Sequence, residues 1–142
     1  MLKLGSVAII AILAAGLAQA AGWPPADDYL NSINDCQAAS DKAGCEYAKA
    51  TWSKNYQKAV KGEYQGQRNV SFCLSTGCNE AIRINPVLGC AWRIVIIQSG
   101  HLETDITDTS NQKHFCGPEL LDDAGRQAAA AQSKQLLKLL GR

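Results

Sequence analysis

Six cysteines, Cys36, Cys45, Cys73, Cys78, Cys90 and Cys116, constrain this chain more than any other feature. Their meaning depends on the compartment. In a reducing cytosol they point to metal or redox chemistry; in a small exported domain an even number points to disulfides. The N-terminus decides between the two. Lys3 gives a positive start, Val7 to Leu17 is an apolar run of signal-peptide length, and Ala18-Gln19-Ala20 fits small-x-small cleavage. The run is shorter than the roughly 20 apolar residues that a membrane span requires, and Trp23-Pro24-Pro25 soon stops any helix. The expectation is a signal peptide at 1–20 and a single helical domain at 21–142, periplasmic or secreted, with no stable membrane insertion after cleavage.

Six cysteines allow 15 pairings, and backbone reach narrows them. A disulfide holds its Cα atoms roughly 4.4–6.8 Å apart. On one straight helix Cys36 and Cys45 would stand about 13 Å apart, at about 1.5 Å of rise per residue, so they pair only if the chain turns between Ala39 and Gly44. Cys73 and Cys78 need the turn that Ser75-Thr76-Gly77 supplies, and Cys116 follows a connection long enough to return to Cys90. The expected bonds are Cys36–Cys45, Cys73–Cys78 and Cys90–Cys116.

Hydrophobic periodicity sets the class. A helix is expected from Asp27, with Tyr29, Leu30 and Ile33 on one face, then a break at Ser40-Asp41. Cys45 to Lys61 carries Tyr47, Ala48, Trp52, Tyr56 and Ala59 at three- and four-residue steps, and Gly62 follows as a stop. Tyr64 to Leu74 presents Val70, Cys73 and Leu74 inward. Asn85-Pro86 is the clearest start signal: Asn is a favoured N-cap, and proline's missing donor costs nothing at the first helical position. That helix runs from Pro86 to Ser99 and ends at Gly100, and Val87, Cys90, Ala91, Ile94, Val95 and Ile97 make it the core helix. His101 to Thr107 reads as polar connection, Thr109 to Cys116 as a short helix, and Glu119 to Leu140 as a last helix rich in Ala and Leu. No run alternates as a strand does, so the class is all-α: a small disulfide-stapled bundle of short helix hairpins.

Within that frame, Arg68 to Gly100 resembles a Sel1-like repeat, a relative of the tetratricopeptide repeat. The residues that carry the resemblance are Gly77 in the turn, Asn85 before the second helix, Gly89-Cys90-Ala91-Trp92, and the closing Ser99-Gly100. Cys73-Leu74-Ser75-Thr76-Gly77-Cys78 replaces the family's Tyr-x-x-Gly turn, and Gly89 stands where Ala is usual. Tyr47 to Gly62 could be a degenerate half-repeat, which limits the array to two or three helix pairs. The resemblance implies a cysteine-rich exported protein whose stacked helix pairs present a groove to a protein or peptide partner. A non-repeat bundle built around Trp92 is the structural alternative.

Other constellations are thinner. Hydrophobic residues make up 46% of the chain and charged residues 19%, a globular balance. Lys plus Arg number 14 against 13 Asp plus Glu, so nothing draws the chain onto nucleic acid. His101, Glu103, Asp105, Asp108 and His114 are metal-capable, but their spacing matches no metal motif; a solvated loop with helix-capping Asp residues is the plainer reading. Gly62 to Arg68 lacks the strand and the Lys of a phosphate loop, no Gly-x-Ser-x-Gly elbow exists, and no Cys-x-x-Cys sits in a βα setting. No cofactor, metal or catalytic residue is expected. Arg83 and Arg93 flank the core helix and could meet an acidic ligand, or Arg93 could pair with a carboxylate of the chain itself. The functional expectation is a binding or scaffold protein of the cell envelope, with a small envelope hydrolase as the alternative.

Overall fold

The computed structural model describes residues 22–33 and 35–142; the signal peptide expected at 1–20 lies outside them. The expected helix from Asp27 is a single 3-10 turn, Ala26–Tyr29. Beyond it the chain is extended rather than helical: Leu30 bridges Ile82, and Asn31 N–H donates to the Ala81 carbonyl at 2.9 Å. Ile33 is therefore 95% exposed instead of facing inward. The lead-in is held by side chains of the next helix, with Trp52 Nε1 donating to the Ala26 carbonyl at 2.7 Å and the Tyr56 hydroxyl to the Pro24 carbonyl at 2.8 Å. Such long-range tethers leave no mark on local periodicity.

Three helices then fold back on one another. α1, Lys42–Val60, begins where Asp41 accepts the Gly44 amide and buries Cys45, Trp52, Tyr56 and Ala59. Tyr47, expected on that face, is 72% exposed. α2 spans Tyr64–Thr76, taking Ser75 and Thr76 into the helix before Gly77 turns left-handed. It runs back along α1: Gly66 lies against Lys58 and Ala59, so close that an added Cβ would stand 2.5 Å from the Ala59 nitrogen. α3, Pro86–Gln98, starts at the Asn85 cap, whose side chain accepts the Leu88 amide at 3.0 Å. It reverses again along α2. A Cβ at Gly89 would stand 2.4 Å from the Ser75 hydroxyl oxygen and 3.2 Å from the Ser71 carbonyl oxygen. Glycine is what permits both approaches.

α4, Ile106–Phe115, starts three residues before the expected Thr109 because Asp105 and Asp108 form a reciprocal capping box. α5, Asp123–Leu139, starts later than Glu119: the chain first turns at Gly117, and Asp122 then caps the helix by accepting the Gly125 amide at 2.7 Å. It buries Ala129, Ser133 and Leu136 and leaves Ala124, Ala128 and Ala131 exposed. Alanine promotes helix but marks its face weakly. α3 touches α2, α4 and α5 and is the centre of the fold. Trp92 is fully buried there, stacked on Trp23 with ring centroids 5.7 Å apart. The sulfurs join Cys36 to Cys45, Cys73 to Cys78 and Cys90 to Cys116. The first fixes the entry to α1, the second closes the α2–α3 turn, and the third ties the end of α4 to α3.

The α2–α3 turn is unusual. Gly77, Cys78, Asn79 and Glu80 all have positive φ, four left-handed residues in succession. Only glycine enters that region without cost, and others lose roughly 1–2 kcal/mol each. The 73–78 disulfide and the bond from Asn31 Nδ2 to the Glu80 carbonyl hold the turn. The result is an all-α, disulfide-stapled bundle.

Candidate functional site

The polar interior gathers where α2, α3 and α4 meet. Its centre is Asp108, buried although it belongs to a segment expected to be a solvated loop. The capping box directs it inward: its carboxylate accepts the Asp105 amide at 3.1 Å and the Tyr64 hydroxyl at 2.5 Å, and it forms an ion pair with Arg68 Nε at 3.1 Å. Burial, then the adjacent Asp108, push the Tyr64 hydroxyl up to about 12. Beside this cluster Gln67 is fully buried and its Oε1 meets His101 Nε2 at 2.9 Å, while its Nε2 finds no acceptor among the described residues. Burial lowers the His101 pKa, and Arg142 lowers it further.

Arg93 completes the group. It is only 4% exposed. Its guanidinium lies 4.0 Å from the centroid of the Phe115 ring, and one Nη donates to the Gly89 carbonyl at 3.5 Å, the outer limit of a hydrogen bond. Desolvation brings its pKa down to about 10, with Asp108 opposing the shift. The expectation that Arg93 pairs with a carboxylate of the chain is not met among the described residues. Arg83, the other arginine flanking α3, is bound elsewhere: it donates to the Asp28 carbonyl and so belongs to the lead-in.

A cavity of about 290 Å³ opens in this region, walled by Arg68, Asn69, Arg93, Asp108 and Asn111 among others. Asn69 and Phe72 also line a larger groove of about 630 Å³ between the outer faces of α1 and α2, with Tyr47, Lys54 and Lys58. The cavity and the groove therefore share a wall. Together they expose two aromatics, Tyr47 at 72% and Phe72 at 53%. Four cations line them against one carboxylate.

The remaining residues singled out in the sequence are scattered. Asp105 is the α4 cap, its carboxylate held below the usual range by the Thr107 amide. His114 sits exposed with its ring against Phe115. No metal-ligating cluster of three occurs among the described residues. The six cysteines are structural bridges. The hydroxyls of Ser71, Ser75 and Ser133 donate to carbonyls of their own helices. Tyr64 and Gln67 carry no motif that singles them out as functional. Gln67 is nonetheless findable: it sits three, four and seven residues before Val70, Ser71 and Leu74, on the inward stripe of α2, where a large polar side chain has no packing reason to be.

No helix of the described residues is long and apolar enough to cross a membrane. No family model, curated protein or solved structure matches this chain.

Proposed function

We propose that the chain is an exported binding or scaffold protein, Sel1-like in its α2–α3 hairpin, that holds a protein or peptide partner in the cell envelope. The observation that carries this reading is the continuous outer face in which the α1–α2 groove runs into the α2–α3–α4 cavity across Asn69 and Phe72. Exposed aromatic side chains on a concave, polar-rimmed surface are what a recognition face requires. The disulfides suit such a face, because three bridges make the helices rigid before binding and little ordering entropy is lost on contact. They also fit an oxidising compartment. Residues 68–100, the segment that resembles the repeat, supply the α2 wall and Arg93.

The test is site-specific photo-crosslinking in intact cells. Crosslinkers at Tyr47 and Phe72 should give an adduct of one discrete mass, at least tenfold stronger than crosslinkers at Ile33 and Leu102, which are more exposed but lie outside the groove. Equal labelling at all four positions, or none, would discard the reading.

A further inference from the structure

A cation buried in protein is ordinarily matched by an anion, because desolvating it unpaired costs several kcal/mol. Arg93 has no such match. Its Nε has no acceptor, and no carboxylate lies within 4.0 Å of its guanidinium among the described residues. Asp108, the carboxylate on the same cavity wall, is taken: one oxygen accepts Tyr64 and the Asp105 amide, and the other meets Arg68. Arg68 uses only Nε in that bond.

We propose that the cavity between α2, α3 and α4 is a binding site for a single carboxylate, seated against the guanidinium groups of Arg93 and Arg68 and the amides of Gln65, Asn69 and Asn111. The charge count selects a monoanion: two guanidinium groups and one carboxylate leave one positive charge on the wall. Shape selects the same class. A planar carboxylate accepts two parallel N–H bonds from one guanidinium, whereas a phosphate dianion would bring a second negative charge towards Asp108. The volume of about 290 Å³ accommodates a short acid or the acidic side chain of a peptide, and little more. The site stands on the cavity alone; the neighbouring groove matters only if the carboxylate arrives on a peptide.

The deciding experiment is an NMR titration of the oxidised protein that follows the arginine Nε–Hε resonances at constant ionic strength. Sodium acetate should shift the Arg93 and Arg68 signals to saturation, and Arg93→Met should weaken binding at least tenfold with the disulfides and helical content intact. Titration of the parent protein decides the question even if that variant fails to fold. A linear drift, equal shifts with sodium chloride, or tighter binding of inorganic phosphate overturns the site. A blocked Gly-Glu-Gly peptide identifies the source: binding at least tenfold tighter than acetate assigns a peptide carboxylate, and weaker binding assigns a free acid. Saturable acetate binding without crosslinks at Tyr47 and Phe72 would keep this site and discard the docking face.

Discussion

The two flanks of α3 both hold buried side chains and are differently built. On one, Trp92 stacks on Trp23, while Tyr29, Trp52 and Tyr56 form a second aromatic cluster with ring centroids 5.3–6.0 Å apart. The polar tips of that cluster are satisfied, since Trp52 and Tyr56 both donate to carbonyls of the lead-in. Burial then pushes the Tyr56 hydroxyl above its usual range, with Tyr29 adding to the shift. On the other flank Asp108, Gln67 and Arg93 are buried together, and both Gln67 Nε2 and Arg93 Nε lack a partner among the described residues. Stable cores satisfy their polar groups. The aromatic flank leaves one neutral acceptor unpartnered, Gln132 Oε1; the polar flank leaves two donors open, one of them on a charged guanidinium that lines a cavity, and that contrast is why the polar flank is the candidate site and the aromatic flank the scaffold.

The contrast can be broken by mutation. Trp92→Ala should cost about 3–5 kcal/mol, the range for truncating a fully buried tryptophan; chemical denaturation measures it, and an unchanged midpoint would remove Trp92 from the scaffold. Replacing Cys90 and Cys116 together by Ala should cost about 3.5 kcal/mol, against about 2 kcal/mol for Cys73 with Cys78, because loop-closure entropy grows with the separations of 26 and 5 residues. A reversed order would show that the short bridge carries native-state constraint, beginning with the left-handed turn it closes.

Asp108→Asn probes the polar flank. It should cost about 1–2 kcal/mol, since Arg68 is partly solvated and the amide oxygen still accepts from Tyr64. A loss as large as that of Trp92→Ala would make this flank a scaffold too. The smallest effect is expected from His101. Its pKa is lowered by burial and by Arg142, while Glu103 and Asp108 oppose the shift, so the folded state takes up fewer protons than the unfolded state. The stability it contributes is therefore complete above pH about 6.5 and is lost as pH falls below that towards the lower folded value. Thermal melts between pH 7.5 and 5 should show the decline, and His101→Gln should flatten it. The Asp105 shift acts below this window, because its carboxylate is already depressed from the ordinary acidic range.

Much of the fold is legible residue by residue. Asn85-Pro86 marks a helix start wherever it occurs in such a setting, and the cap observed there is the one those residues form locally. Trp52, Tyr56 and Ala59 lie on the inward face of α1 because three- and four-residue steps place side chains on one stripe. Where spacing misleads, the cause is long-range. Ile33 follows a helical spacing, yet the backbone before it pairs with residues 81–83. The Asp105–Asp108 pair is legible as capping but not as buried, because only α2, some forty residues earlier, encloses it.

By itself, the sequence determined the helical class, the starts of α2 and α3 and the disulfide framework, because caps, periodicity and turn-limited sulfur reach all act over a few residues. The tertiary structure alone decided that Asp108 is spent on Tyr64 and Arg68 and that Arg93, one turn above Gly89, is buried without an anion among the described residues. Those outcomes depend on which side chains three separate helices bring to one place. No local rule encodes that, since the charge balance of a cavity is a property of its walls taken together.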